Sequence, residues 1–283
     1  MKIHRYVLYC DEAFNSQSAL RYHHYYGGAL IEEHLQQDVE KRLDEAARSA
    51  GLAGEIKWQK VDQRSEDPYM AFAQAFFDEL AAGYFKLRVM FLDKYLRPAD
   101  VIRKSRRDEY FTLYYTFITR AFGLADAPLD QSDVIVLRLF LDQLPDSGPA
   151  RTRFRDFLQR IDETRKFAQR QIVIPFDGIS EINSKAHRLS QGVDLVIGAL
   201  GFRMNGCHKI TREDGKRGKR TKAKDRVSKA IQQRLRQFGV KNIGITTGTY
   251  GRPLAIWRDP VRLWKLRPRE FALDRRWVKK KAP

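Results

Sequence analysis

Tyr6-Val7-Leu8-Tyr9-Cys10 is an unbroken apolar, β-prone run that ends at Asp11-Glu12. A short run with no polar alternation predicts a strand covered on both faces, in the middle of a sheet. Tyr22–Ile31 predicts a second strand, in which Gly27-Gly28 marks a bulge or a close backbone approach. Phe85–Leu92 and Val134–Leu141 predict two more strands, and they end at Asp93 and Asp142. Glu55–Val61 alternates polar and apolar residues, which as a strand sets Glu55, Lys57 and Gln59 on one face. Gln171–Phe176 predicts a short strand. Helical spacing covers Leu35–Ala50, stopped by Gly51 and Gly54, then Pro68–Ala82, Asp108–Phe122, Thr152–Ala168 and the strongly apolar Leu189–Phe202. Early strands followed by strands alternating with helices predict an α/β fold, a mixed sheet flanked by helices on both faces. Sites in such sheets gather at the carboxyl ends of parallel strands, which is where Asp11, Asp93 and Asp142 fall.

Charge divides the chain. The net charge is +18, yet residues 1–205 hold 29 Lys/Arg and 29 Asp/Glu, and residues 206–283 hold 24 and 6. The whole excess belongs to the second part, so we read 1–205 as a core and 206–283 as a basic C-terminal arm and tail. A basic block is also a common solvated tail. Its first reading is an electrostatic footprint for nucleic acid, DNA or RNA, because phosphate neutralisation releases counterions. The candidate phosphate contacts are Lys209, Arg212, Lys216, Arg217, Lys219, Arg220, Lys222 and Lys224. Lys216–Lys224 is too charged to pack and is expected as a mobile loop. Residues 225–238 fit a basic helix with Val227, Ile231 and Leu235 as its buried stripe, followed by a β-prone Ile243–Trp257. Trp257, Trp264 and Trp277 among arginines and lysines suit base stacking, and suit equally the anchoring of a tail to the core.

Other classes fall away. With 43% hydrophobic and 12% aromatic residues the chain can bury a core. Two cysteines, Cys10 and Cys207, make no disulfide framework and fit a cytoplasmic setting. No apolar run is long enough to span a membrane, and the N-terminus lacks the apolar core of a secretory signal. His23-His24 and Cys207-His208 lack the paired spacing of a structural zinc site, and GKRGKRT at 215–221 has the wrong spacing for a P-loop.

Asp194 is the one charged side chain between Leu189 and Phe202, on a helix whose core stripe is Leu189, Val193, Val196, Ile197 and Leu200. A carboxylate in such surroundings needs a cation or several donors. Asp194 could pair with an arginine, and Asp11 or Asp142 alone could open a turn. Taken together, several acids at the ends of buried elements suit a shared Mg²⁺, a hard ion that prefers carboxylate oxygen and water. Two such ions can activate water and stabilise the leaving oxygen in phosphodiester cleavage.

Four short motifs, in order, carry a family resemblance: Tyr9-Cys10-Asp11-Glu12, Glu55-Ile56-Lys57-Trp58, Leu139-Phe140-Leu141-Asp142 and Ser190-Gln191-Gly192-Val193-Asp194-Leu195. The chain resembles the domain-of-unknown-function 3800 family, an RNase H-like group, over about residues 1–205. The resemblance implies an RNase H-like fold with Asp11, Glu55, Asp142 and Asp194 as catalytic acids that bind Mg²⁺ or Mn²⁺. Lys57 and Gln191 would support them by orienting carboxylates or touching a phosphate. Two departures stand out. Ala13-Phe14 replace the usual small residue and glycine after the first motif, and Asp93 competes with Asp142 for the strand-end role. The expected activity is that of a metal-dependent nuclease, in defence or mobile-element biology. The alternative is a catalytically inactive RNase H-like subunit that binds nucleic acid or recruits a protein partner in a larger assembly.

Overall fold

The computed structural model describes residues 1–14, 20–98, 106–142, 149–247 and 253–277. The elements begin with β1 (Ile3–Phe14), β2 (Tyr22–Glu32), α1 (Gln36–Ser49) and α2 (Glu66–Ala81). Next come β3 (Phe85–Asp93), β4 (Leu96–Pro98), α3 (Arg106–Arg120), β5 (Val134–Leu141), α4 (Pro149–Gln159) and α5 (Arg165–Gln169). They end with β6 (Ile172–Val173), β7 (Ile179–Glu181), α6 (Arg188–Met204), α7 (Lys219–Gln237), α8 (Pro253–Arg258), β8 (Val261–Leu266) and β9 (Phe271–Leu273).

The N-terminal run is the centre of the main sheet. β1 pairs antiparallel with β2 and parallel with β5, and β2 continues antiparallel to β3. The strand order is β6-β5-β1-β2-β3-β8, with β7 on β5 beyond β6; β4 and β9 form a separate small ribbon. Alternation sends Val7 and Tyr9 to one face and Leu8 and Cys10 to the other, where all four are buried. The first face is packed by α1, α2, α6 and α7, the second by α3, α4, α5 and α8. The chain is thus a mixed α/β sheet flanked by helices. In β5 only Ile135, Leu137, Leu139 and Leu141 are buried, so the α6 face of this strand keeps Arg138 and Phe140 half-buried and open to approach. No helix among the described residues is long and apolar enough to cross a membrane.

Gly27 and Gly28 are a close approach on both sides of β2. A Cβ on Gly27 would lie 2.6 Å from Val193 and Ile197 of α6, and one on Gly28 would lie 2.8 Å from the Tyr9 carbonyl oxygen. The register shift in this strand sits earlier, between Tyr22 and Tyr25.

Several expectations are corrected. First, β1 runs on through Asp11 to Phe14, still paired with β2. Glu55–Val61 is not a strand: Trp58–Lys60 is a 3₁₀ turn, because side chains of α6 take the backbone N–H groups that a neighbouring strand would have bonded. The helix expected over Thr152–Ala168 is two helices, α4 and α5, separated by a turn in which Ile161 is buried. The strand at Gln171–Phe176 shrinks to Ile172–Val173, after Gln171 at a left-handed φ of 55°. The basic segment does not project. α7 starts at Lys219 and buries Ala223, Val227, Ile231 and Leu235 in the core, and β8 extends the main sheet parallel to β3. One apolar residue in four suffices to dock a helix whose other faces are charged. Within the β-prone Ile243–Trp257, Pro253 onward is helical; residues 248–252, like the tail beyond Trp277, lie outside the described residues.

Candidate active site

Asp11 continues the Val7–Tyr9 face of β1, toward α6, with its carboxylate accepting from the Glu12 N–H at 2.7 Å. Asp142 follows β5, and its N–H donates to the Cys10 carbonyl at 3.2 Å, just past the last paired residues Cys10 and Leu141. Both aspartates therefore lie just past the last β1–β5 pair, Asp142 beyond β5 and Asp11 within β1, where it still pairs with Gly27 of β2. From above, α6 brings Asp194, whose Oδ2 accepts from the Trp58 N–H at 2.6 Å. The three carboxylates feel one another. Burial, then Asp194, Glu12 and Asp142, hold the Asp11 carboxyl well above the usual range. Burial, with added repulsion from Asp142 and Glu55, outweighs the Trp58 N–H and Lys57 and pushes Asp194 up to about 6. Among the described residues Asp11 has no ion-pair partner, and no three His, Cys, Asp or Glu side chains are set to share one ion.

Glu55 sits differently. Its carboxylate accepts from Ser184 Oγ at 3.0 Å and meets Lys57 Nζ at 3.2 Å and Lys60 Nζ at 3.1 Å. Burial alone would raise its pKa, but the bonds from Lys60, Ser184 and Lys57 together hold it below the ordinary value. Lys57 in turn faces Asp142 and Asp194 as well as Glu55. Gln191 is buried and fully engaged: its carbonyl oxygen accepts from Ile56 N–H (3.1 Å) and Arg188 (2.7 Å), and its amide donates to the Ser184 carbonyl (2.7 Å). It cannot reach a phosphate; it fixes the backbone that carries Glu55 and Lys57.

Asp93, the competitor of Asp142, is already neutralised. Arg21 donates to both its oxygens at 2.7 Å and Lys265 Nζ lies at 2.7 Å. Burial would raise its pKa, and these cations win and lower it. It does not appear among the groups acting on Asp11 or Asp194.

Glu12 is the acid that sequence reasoning quoted but left without a role. Alternation turns it to the α3 face, where Tyr110 donates to Oε1 at 3.1 Å and Tyr114 donates to Oε2. Burial raises its pKa to about 7 against the two phenol donors, with a further push from Asp142. The legible signal was Tyr110 and Tyr114 at i and i+4 on a helix, one turn apart and able to grip one carboxylate.

The basic residues divide. Lys209, Arg212, Lys216, Lys219, Arg220 and Lys222 are exposed. Arg217 is structural, donating to Asp225 at 2.9 Å and to the His208 carbonyl at 3.1 Å. Lys224 lies 4.9 Å over the Trp58 ring, within electrostatic reach of Asp194; burial and then Arg220 lower its pKa to about 8. Arg220 donates to the Gln59 carbonyl. Gly198 makes room for this arrangement, since a Cβ there would lie 2.2 Å from Trp58.

No family model matches the chain, and no curated protein matches it. Among solved structures it is similar to the ribonuclease H2 from Pyrococcus horikoshii OT3, at 12% identity over 89% of this chain and 92% of that one, with a TM-score of 0.41. It is also similar to a chain of the PCNA:RNase HII complex from Archaeoglobus fulgidus, at 13% identity over 83% and 89% of the two chains, with a TM-score of 0.40.

Proposed function

We propose that this chain is a metal-dependent nuclease of the RNase H-like class that hydrolyses phosphodiester bonds of DNA or RNA. One observation carries the reading: Asp11, Asp142 and Asp194, from three distant parts of the chain, lie within electrostatic reach of one another beside the parallel pair β1 and β5. Antiparallel β1–β2–β3 with β5 parallel to β1 supports the RNase H-like part. So do the four motifs by which the sequence resembles the domain-of-unknown-function 3800 family.

Carboxylate oxygen is the donor chemistry a hard divalent cation takes, and these side chains would have to draw together to share one. Carboxylates that repel one another in a buried setting must either stay protonated or share positive charge. Asp11, Asp142 and Asp194 would hold Mg²⁺ or Mn²⁺, with Glu55 next to them. Bound there, the ion supplies an activated water and charge stabilisation for the leaving oxygen. The chain's own groups do the rest. Gln191 and the Trp58 N–H hold the loop and Asp194 in register. Lys57 keeps a cation beside Asp142 and Asp194, where a phosphate would approach. Tyr110 and Tyr114 fix Glu12 behind Asp11. Exposed lysines and arginines at the start of α7 extend the positive surface outward.

The test is cleavage of end-labelled single-stranded and duplex DNA, RNA and RNA–DNA hybrid by the purified chain. Cutting of at least one substrate with Mg²⁺ or Mn²⁺ is expected, with none in EDTA and none from Asp11→Asn. Cleavage that survives EDTA removes the reading. Binding offers an independent check. Replacing Lys219, Arg220 and Lys222 by glutamine should reduce the salt dependence of duplex affinity by about two to three units of slope. An unchanged slope assigns these residues to solubility.

A further inference from the structure

Away from the acids, a cavity of about 550 Å³ opens where the start of β2, the end of α6, α7 and the C-terminal residues meet. Its wall includes Arg21, Arg203, His208, Gln232, Arg276 and Trp277. The volume is that of a pocket for a small organic ligand.

Two features of this wall are unusual. His208 Nδ1 and Gln232 Nε2 are buried atoms with no hydrogen-bond partner among the described residues, and both belong to residues that line this one cavity. A buried polar atom left unpaired is costly, and two on the residues of one wall point to a polar occupant that small side-chain shifts would let them meet. The second feature is charge. Asp93 is matched by both Arg21 and Lys265, and Asp225 by Arg203 (2.6 Å), Arg217 (2.9 Å) and Lys229 (3.1 Å). Arg276 is matched by Asp274 at 2.6 Å, while Arg21 and Arg203, which line the cavity, share carboxylates behind it that other cations also claim, so these two bring a positive excess to the wall. Burial and then Arg203 lower the pKa of His208, so its ring is neutral at pH 7 and does not add to that excess.

Trp277 and Tyr22 supply aromatic surface beside these cations, with the Arg21 guanidinium 5.3 Å over the Tyr22 ring and Lys94 Nζ 4.9 Å over the Trp277 ring, so a base would stack on the other face of Trp277 or displace Lys94. A bare inorganic anion would use the arginines and leave the rings and the Gln232 amide idle. A nucleotide uses all three: an anion, a stacking face and a polar edge.

We propose that this cavity binds a nucleoside phosphate, with the phosphate against Arg203 and Arg21, the base on Trp277, and its polar edge met by Gln232 and His208. Arg203 lies nine residues along α6 from Asp194, a rise of about 13 Å. The ligand is therefore either a free mononucleotide or the phosphorylated end of a strand whose interior reaches the acids. Only the strand-end form rests on the nuclease reading; the pocket itself does not.

The test is equilibrium binding to the full chain in EDTA, which separates it from any metal at the acids. The probes are adenosine 5′-monophosphate, inorganic phosphate, and one short single strand carrying either a 5′-phosphate or a 5′-hydroxyl. The variants are Gln232→Leu, which replaces an unpaired amide by an apolar side chain of similar size, and Trp277→Ala near the surface. Circular dichroism and melting check that both fold. The mononucleotide, or the 5′-phosphorylated strand in preference to its hydroxyl twin, should bind wild type and lose about tenfold affinity in each variant. Asp11→Asn should bind as wild type does, so failure of the nuclease reading leaves this result standing. Binding of neither nucleotide probe, binding unchanged in both variants, or inorganic phosphate binding as tightly as the mononucleotide overturns the proposal.

Discussion

Asp194→Asn is expected to abolish divalent-dependent cleavage and at the same time to stabilise the metal-free protein. Asparagine keeps an oxygen for the Trp58 N–H, so the loop at 55–60 should stay in place. What disappears is a charge that burial disfavours and that Asp142 and Glu55 repel. The sign follows from linkage. The folded carboxyl titrates at about 6 against an ordinary value of 3.8. It favours the fold below the ordinary value, and that contribution is lost as pH rises through 6. At neutral pH the shift corresponds to about 2–3 kcal/mol against the metal-free wild type. The variant should therefore melt higher than wild type in EDTA at pH 7, with the gap closing near pH 4. On the proposed function, Mg²⁺ or Mn²⁺ should raise the melting temperature of wild type and not that of the variant. Removing an outer-shell partner of a metal site costs ten- to a hundredfold in affinity or activity, so losing a ligand should cost about a hundredfold or more. A variant that cuts like wild type, or that is destabilised in EDTA, contradicts the grouping of these acids.

Arg88→Leu is expected to be the most damaging single change away from the acids. Its guanidinium is 1% exposed and meets five backbone carbonyls. Nε donates to Ala121, one terminal nitrogen to Leu87 and Pro260, the other to Ile256 and Asp259, at 2.7–3.1 Å. Burial lowers its pKa to about 9, which leaves it charged at pH 7. This side chain joins β3 to the end of α3 and to the turn between α8 and β8. Leucine fills much of the space but leaves those carbonyls unpaired, at a cost of about 3–5 kcal/mol. Lysine should rescue only in part, because a point charge with three donors cannot reproduce a planar fork with five. Urea unfolding measures the loss. Amide exchange should show α8 and β8 opening first, and a change below about 1 kcal/mol would mean that water replaces the arginine.

Where an element makes its own case locally, the sequence was enough. β1 and α6 were legible because their apolar patterns exceed what a loop can carry, and Asp194 stood out as a lone charge on an apolar helix. Asp142 was legible as a strand-end acid; Asp11 was legible as an acid after an apolar run, though β1 continues past it to Phe14. The division of charge at residue 205 was also plain, though not its consequence. α7 and β8 belong to the packed structure because a stripe of Ala223, Val227, Ile231 and Leu235 outweighs the charge around it.

Tertiary structure decided the rest, because each remaining choice depends on a partner far along the chain. Asp93 and Asp142 look alike in sequence; Arg21 and Lys265 neutralise the first, while the second acts electrostatically on Asp11 and Asp194. Glu55–Val61 alternates like a strand, but Gln191 and Asp194 capture its N–H groups. Glu12 turns from its neighbour Asp11 to two tyrosines about a hundred residues away. Local propensity depends on a few adjacent residues and can be read from them. A carboxylate's role depends on the charges and donors that folding brings within a few ångströms, and their spacing along the chain does not encode it.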